Sequence, residues 1–393
     1  MTGINFKNYP NITKLTIGSK VKCNQNFYNA FGGMTNLTSC SLPISNMVNM
    51  SSTFKECDDL TGPAVCGPNV TDMSYAYYGC RSLTGSPVCG NKVTDMSYAY
   101  GLCYNITGPA ACGPNVTDMS YAYMSTRVNV AVCGENVESL RATYDGCQQI
   151  TTPVCGNKVT DMASAYGSCG NITGPAVCGP NVTNMADVYR YCSNLKGNPV
   201  CGELVYNFSN AYAYCENLTG KPVCGDKVID MDYAYYGCKN LTGSPVCGPG
   251  VYDMRSAYAN CTNLTGKPAC GNKVEYMESA YENCVNLSGA PSNIVTAHNM
   301  NRTFYGCPNI KGTMYILSNR LEWAHNCFYG RNTSSMLNIY IYDNTYYRNT
   351  LNTLTSTSAN NSIVGANVTW TNDTSNKRYY NATYNIYIYY TLK

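Results

Sequence analysis

The side chains of this chain that could do chemistry recur in columns; they do not converge on a motif. Two columns hold most of its 24 cysteines. One runs Cys66, Cys89, Cys112 and on to Cys270, each before a glycine; the other runs Cys57, Cys80, Cys103 and on to Cys307. An even count fits disulfides in an oxidising setting, and stacked neighbours would lie within bonding range. A ladder of equal neighbours, however, offers no unique pairing. Free cysteine packs as a small hydrophobe, so both columns are expected to be buried, reduced thiols. Zinc is not expected: no C-x-x-C occurs and the chain has 2 histidines.

Asp72, Asp95, Asp118, Asp161, Asp230 and Asp253 form an interrupted acidic column. It could be a calcium ladder or a row of glycosidase carboxylates. Local capping explains it better, because Asn184 and Ser139 fill the same slot. His298 and His325 lie in divergent turns and read as ordinary turn residues. No nucleophile elbow, phosphate-binding glycine loop or H-E-x-x-H is present. The expectation is therefore no catalytic residue, no metal and no cofactor. Charged residues make up 12% of the chain and the net charge is +3, which leaves no basic field for nucleic acid. No apolar run is long enough to cross a bilayer.

Tyrosine, present 37 times, is the more telling residue. Tyr77, Tyr100, Tyr123, Tyr144, Tyr166 and Tyr189 form one column, which turns to Phe at Phe31, Phe54 and Phe304. It is read as a ring buried for its area, with the hydroxyl near a surface. Two residues earlier the series runs Tyr75, Tyr98, Tyr121, Ala142, Ser164, Asp187, Asn210 and Tyr233; one residue later it includes Tyr78, Gly101, Met124 and Tyr236. These columns vary freely and are expected to be exposed. Tyrosine offers large contact area with few rotors, so Tyr75, Tyr78, Tyr98, Tyr121, Tyr233 and Tyr236 are the candidate ligand-binding face.

What must position these columns is a repeat. Leu37, Leu60, Leu83 and Ile106 are spaced by 23 residues, and the series resumes from Ile150 to Ile310 after a degenerate turn around Val128. One turn reads V-C-G-x-x-V-T-D-M-S-Y-A-Y-x-G-C-x-x-L-T-G-x-P. Met73, Ala76 and Tyr77 fall at i, i+3 and i+4, which predicts a short helix, with Asp72 at its N-cap and Gly79 as its stop. The L-T-G-x-P-V-C-G stretch predicts a short extended segment. Such a turn has too little core to stand alone and is expected to stack. The predicted fold is thus a repeat solenoid of about thirteen turns over residues 24–330, made of short strands and short helices. Residues 1–23 would cap its start. Residues 331–393 lose the period and predict a small Asn/Tyr-rich β module: MLNIYIYDN and YNIYIYYTL are alternating strands, SIVGANVTWTND a third, and TYYRNTLNTLTSTS a short helix between them.

The phrases VTDMSYAYYGCRSLTG (70–85) and LTSCSLP (37–43) resemble BspA-type leucine-rich repeats. The resemblance covers about three quarters of the chain, departing in Tyr for Phe and in V-C-G for an apolar strand end. It implies a non-enzymatic adhesion or recognition module of bacterial, protist or phage surfaces. The start, MTGINFKNYPNITKL, shows no basic stretch followed by an apolar one, which favours a virion component: a phage fibre, tail or capsid decoration touching host-surface protein or glycan and other virion proteins, with the C-terminal module capping, attaching or forming homo-oligomers. A bacterial or protist cell-surface adhesin is the alternative, and a carbohydrate-active solenoid enzyme the second.

Overall fold

The computed structural model describes residues 6, 9, 11–18, 25–291, 293–341 and 348–390; much of the expected N-terminal cap lies outside them. The chain divides into two compact units, Met1–Leu195 and Lys196–Lys393.

The repeat folds as tight turns, not as helices. Met73, Tyr75, Tyr77 and Gly79 donate their backbone N–H groups to Asp95, Ser97, Ala99 and Gly101 of the next turn, at 2.8–2.9 Å. The residues between them, Ala76, Tyr78 and Cys80, bond back three positions to Met73, Tyr75 and Tyr77. A helix needs every N–H to bond four residues back, and here every second one leaves for the neighbouring turn. Left-handed backbone at Tyr75 (φ 54°) and Gly79 (φ 76°) enforces this alternation. Asp72 does cap a donor, accepting from the Ser74 N–H at 2.9 Å, but the cap starts a turn. Met73, Ala76 and Tyr77 all point inward as the spacing required.

In the first unit the turns are locked in register by parallel bridges. They run Asn26–Asn49–Asp72–Asp95–Asp118–Ser139–Asp161–Asn184. Strand β1 (Lys14–Thr16) pairs parallel with β2 (Ser39–Ser41), and β3 (Thr107–Pro109) with β4 (Arg127–Val130). The degenerate turn keeps the core: Val128 fills the Leu column and is fully buried. Thr126 replaces the cysteine, its hydroxyl bonding the Tyr123 carbonyl at 2.9 Å.

The core is made of the invariant columns, and Val93, Met96, Ala99, Tyr100, Cys103 and Ile106 are all fully buried. The ring of the core tyrosine is buried, and its hydroxyl reaches a partly exposed backbone segment, near the surface as expected. Tyr77 donates to the Val65 carbonyl at 2.8 Å and accepts from the Val65 N–H at 3.0 Å. Tyr144 repeats this on Val132, Tyr166 on Val154 and Tyr235 on Val223. The phenol thus satisfies both backbone polar groups of the valine in the V-C-G segment.

The second unit opens with the same bridges, Asn207–Asp230–Asp253–Tyr276–Asn299–Trp323. It then gathers a sheet from β5 (Asn293–Ile294), β6 (Gly312–Ile316), β7 (Leu337–Ile341), β8 (Thr371–Asp373), β9 (Arg378–Asn381) and β10 (Ile386–Tyr389), with helix α1 (Arg348–Leu354) between β7 and β8. The order is β5-β6-β7-β10-β9-β8. β10 lies parallel to β7, and β9 and β8 then turn antiparallel. The repeated word NIYIY therefore pairs with itself, offset by two residues so that Ile388 faces Ile339 and the isoleucines stay inside. The boundary drawn at residue 331 does not separate this sheet, because strands on both sides of it are hydrogen-bonded. Arg331 itself is buried and donates to the backbone carbonyls of Ser335, Tyr384 and Asn385.

Candidate recognition surfaces

Four of the six candidate tyrosines come together. Tyr98 stacks between Tyr75 and Tyr121, with ring centres 4.4 and 4.3 Å away and planes within 8°. Tyr78 packs edge-on against Tyr75 (5.6 Å) and Tyr98 (5.9 Å). The Lys55 ammonium lies 5.3 Å from the Tyr75 ring centre, closing that end. These rings are half-buried, not freely exposed, because each covers its neighbour. Burial, then the Tyr121 and Tyr75 hydroxyls, pushes the Tyr98 hydroxyl up to about 12. It is a protonated donor at neutral pH.

This column varies in sequence but is constrained in backbone. Tyr75, Tyr98 and Tyr121 have φ of 54°, 57° and 59°, as do Ser164 (55°) and Ser256 (53°) in the same slot. The slot lies outside the core, which frees the side chain, yet its backbone is fixed. Gly101 makes room beside the stack: a Cβ there would stand 3.1 Å from both the Tyr78 ring and the Tyr121 carbonyl.

Tyr233 and Tyr236 lie in the other unit, 5.4 Å apart. Tyr214, which the sequence reading passed over, joins them at 5.1 Å from Tyr236. It occupies the slot of Gly79, left-handed at φ 63°. The slot also holds Glu56, Leu102, Ser125 and Tyr191, so no sharp signal stands out there in the sequence. Also missed was an aromatic run along the second unit, Tyr252–Tyr276–His298–Trp323, with centres 5.4, 6.2 and 4.9 Å apart.

The geometry is that of one turn copied with its core intact, and the first turns carry a recognisable signature. A profile of the BspA type leucine rich repeat region matches residues 3–106 in six copies. Residues 3–106 are thus similar to BspA-type leucine-rich repeats. A leucine-rich repeat protein from Bacteroides ovatus ATCC 8483 has a similar fold, with a TM-score of 0.53 at 14% identity over 86% of this chain and 89% of that one. A leucine rich cell surface protein from Faecalibacterium prausnitzii A2-165 aligns over 76% of this chain and 87% of its own, at 16% identity and a TM-score of 0.37. No curated protein matches the sequence.

Cys66, Cys80, Cys89, Cys103, Cys112 and Cys192 are free thiols. Cys80 donates to the Phe54 carbonyl at 2.9 Å, Cys103 to that of Tyr77 and Cys192 to that of Tyr166. Burial pushes the Cys103 and Cys192 thiols up to about 12, so neither is a nucleophile at neutral pH. The half-buried column explains its own glycine: a Cβ on Gly134 would stand 2.9 Å from the Cys112 Sγ of the turn before. Among the described residues no group of His, Cys, Asp or Glu is arranged to hold a metal ion.

Two carboxylates of the first unit do share a recess. Asp145 and Asp187 line a cavity of about 200 Å³ with Gly167 and Arg190. Burial, and then Asp187, raises the Asp145 carboxyl to about 6. Asp187 sits 3.4 Å from the Arg190 guanidinium. The recess is smaller than the range of roughly 300–1,000 Å³ that ligand sites occupy. The backbone N–H of His325 donates to Asn301 Oδ1 at 2.8 Å.

Proposed function

We propose that this protein is a non-enzymatic recognition protein displayed outside a cell, holding a protein or glycan on its tyrosine faces. The Tyr75–Tyr98–Tyr121 stack carries the reading. Left-handed backbone costs an L-residue with a Cβ roughly 1–2 kcal/mol, and most other turns meet that demand with Ser, Asp or Asn. Three consecutive turns hold Tyr there instead. Ring stacking of about 0.5–1.5 kcal/mol per pair offsets part of the cost. What the rings add is a flat, hydroxyl-edged surface of the composition that dominates binding hot spots.

The finer placement is the surface of a virion, as fibre, tail or decoration. The free thiols of Cys66, Cys89 and Cys112 in one column and of Cys80, Cys103 and Cys192 in the other support assembly in a reducing compartment, which suits a particle built inside its host. A cell-surface adhesin is the second reading, and it follows the resemblance to BspA-type surface proteins. The C-terminal strands would serve as the array's end cap, since the outermost, β8, is short and polar.

The test is a triple variant of the full chain, Tyr75→Asn, Tyr98→Asn and Tyr121→Asn. Asn suits the left-handed slot, so the melting temperature should stay within a few degrees of the parent's. Binding to host cells, or to the best hit of a protein and glycan array, should fall by roughly tenfold or more. Full binding with the rings gone would refute the assignment. Gold-labelled antibody on thin sections locates the protein on particles or on cells, separating the two settings.

A further inference from the structure

A groove of about 580 Å³ in the second unit has a different chemistry from the tyrosine faces. One wall belongs to the array: Trp323, Glu322 and His325, with Asn301 of the turn before. The other is made by α1 and the loop after it, through Asn352, Thr353, Asn360 and Asn361. Trp323 occupies the slot that holds Asp or Asn in most turns, and its backbone is bridged to Asn299. It is 46% exposed. The His298 ring meets it edge to face at 4.9 Å and 81°, which holds the indole in place. Glu322 lies 3.6 Å from His298 Nε2, so the carboxylate and the indole are set by the same imidazole.

The carboxamides of Asn352, Asn360 and Asn361 have no partner among the described residues. Each can donate and accept at once. An open amide row facing an indole is a particular combination. It offers paired hydrogen bonds to vicinal hydroxyls on one side and an apolar platform for a ring's C–H face on the other. Glu322 is the one carboxylate among the described lining residues, and no lysine or arginine joins it. That balance repels anions and gives a cationic ligand a single contact. The volume falls within the ordinary range for ligand sites.

We infer that this groove is a saccharide-binding site for a neutral oligosaccharide, with Trp323 as the stacking platform and the Asn352, Asn360 and Asn361 amides as hydroxyl readers. Glu322 would accept from a pair of sugar hydroxyls. Glycoside cleavage uses two carboxylates across the scissile bond, and this lining supplies one, so the site binds without cutting. It is independent of the tyrosine stack: either can fail while the other stands.

The chain has 2 tryptophans, so indole fluorescence can report the groove directly. The full protein is titrated with maltotriose, cellotriose, laminaritriose, triacetylchitotriose and a mannotriose, with sialyllactose as the anionic control. At least one neutral sugar is expected to shift the emission saturably. Trp323→Ala should weaken that binding more than tenfold, and Asn360→Ala and Asn361→Ala severalfold each, by calorimetry. The two Asn side chains are exposed, so those variants fold even if the tryptophan variant does not. Tyr98→Asn should leave the sugar affinity unchanged. No response to any neutral trisaccharide overturns the proposal. So does a response confined to sialyllactose, or binding that both Asn variants keep in full.

Discussion

The Tyr100 hydroxyl stands between the two backbone polar groups of Val88, donating to its carbonyl at 2.8 Å and accepting from its N–H at 3.1 Å. One phenol thereby does for an isolated extended residue what a neighbouring strand does in a sheet. The ring is fully buried and stacks on Tyr77 at 5.5 Å and on Tyr123 at 5.6 Å.

Tyr100→Phe keeps the rings and removes the bridge. Two backbone groups of the half-buried Val88 then lose their partner, each worth up to roughly 1–3 kcal/mol where water cannot replace it. We expect a loss of about 2–3 kcal/mol for Phe, and about 3–5 for Ala, which also opens a cavity. Urea denaturation measures both. Hydrogen exchange should show the Val88 amide losing protection first. A Phe variant as stable as the parent would mean that the hydroxyl contributes nothing net.

Native protein should react slowly with iodoacetamide at pH 7.5. The thiols that donate to carbonyls are enclosed, and burial holds even half-buried Cys89 up to about 12 and Cys133 to about 11. After denaturation without reductant, nearly all 24 cysteines should titrate. Recovery of only a few would show an oxidised array and would also remove the support for assembly in a reducing compartment.

Asp145 gives a pH dependence of known sign. Its folded carboxyl is raised from 3.8 to about 6, by burial first and Asp187 second. Between those values the unfolded chain has lost this proton and the folded chain keeps it. Stability is therefore lost as pH rises from about 4 to 6. Asp145→Asn should be more stable than the parent above pH 6, by on the order of 1 kcal/mol after allowing for solvent screening of a partly exposed group. The advantage should vanish near pH 4. A thermal melt series from pH 4 to 8 checks it, and a constant difference across the range would contradict the shift.

Much of this was legible because each turn repeats its constraints. Val93, Met96, Ala99 and Cys103 were core by their invariance, and all are buried. The helix was misread because Met73, Ala76 and Tyr77 have helical spacing, while inter-turn hydrogen bonding leaves no mark in a single turn's sequence. The left-handed slot was hidden too: Ser164, Asp187 and Tyr98 share a backbone angle without sharing chemistry. Tyr75, Tyr78, Tyr98 and Tyr121 could be picked out as candidates because their columns vary where the core columns do not. Trp323 and Asn360 were not, because the period breaks before α1 brings the second wall of the groove into place.

The tyrosine stack has a genetic consequence. The octapeptide V-T-D-M-S-Y-A-Y occurs unchanged at 70–77, 93–100 and 116–123, the three turns that supply Tyr75, Tyr98 and Tyr121. Near-identical coding segments in tandem invite unequal crossing-over. Gain of one unit would insert a complete turn with its own core, thiols and phenol bridge, and would lengthen the aromatic row by one ring, about 4.4 Å. Loss would shorten it by the same step. Reach and multivalency of this face would then evolve by counting, with no new contact having to be invented.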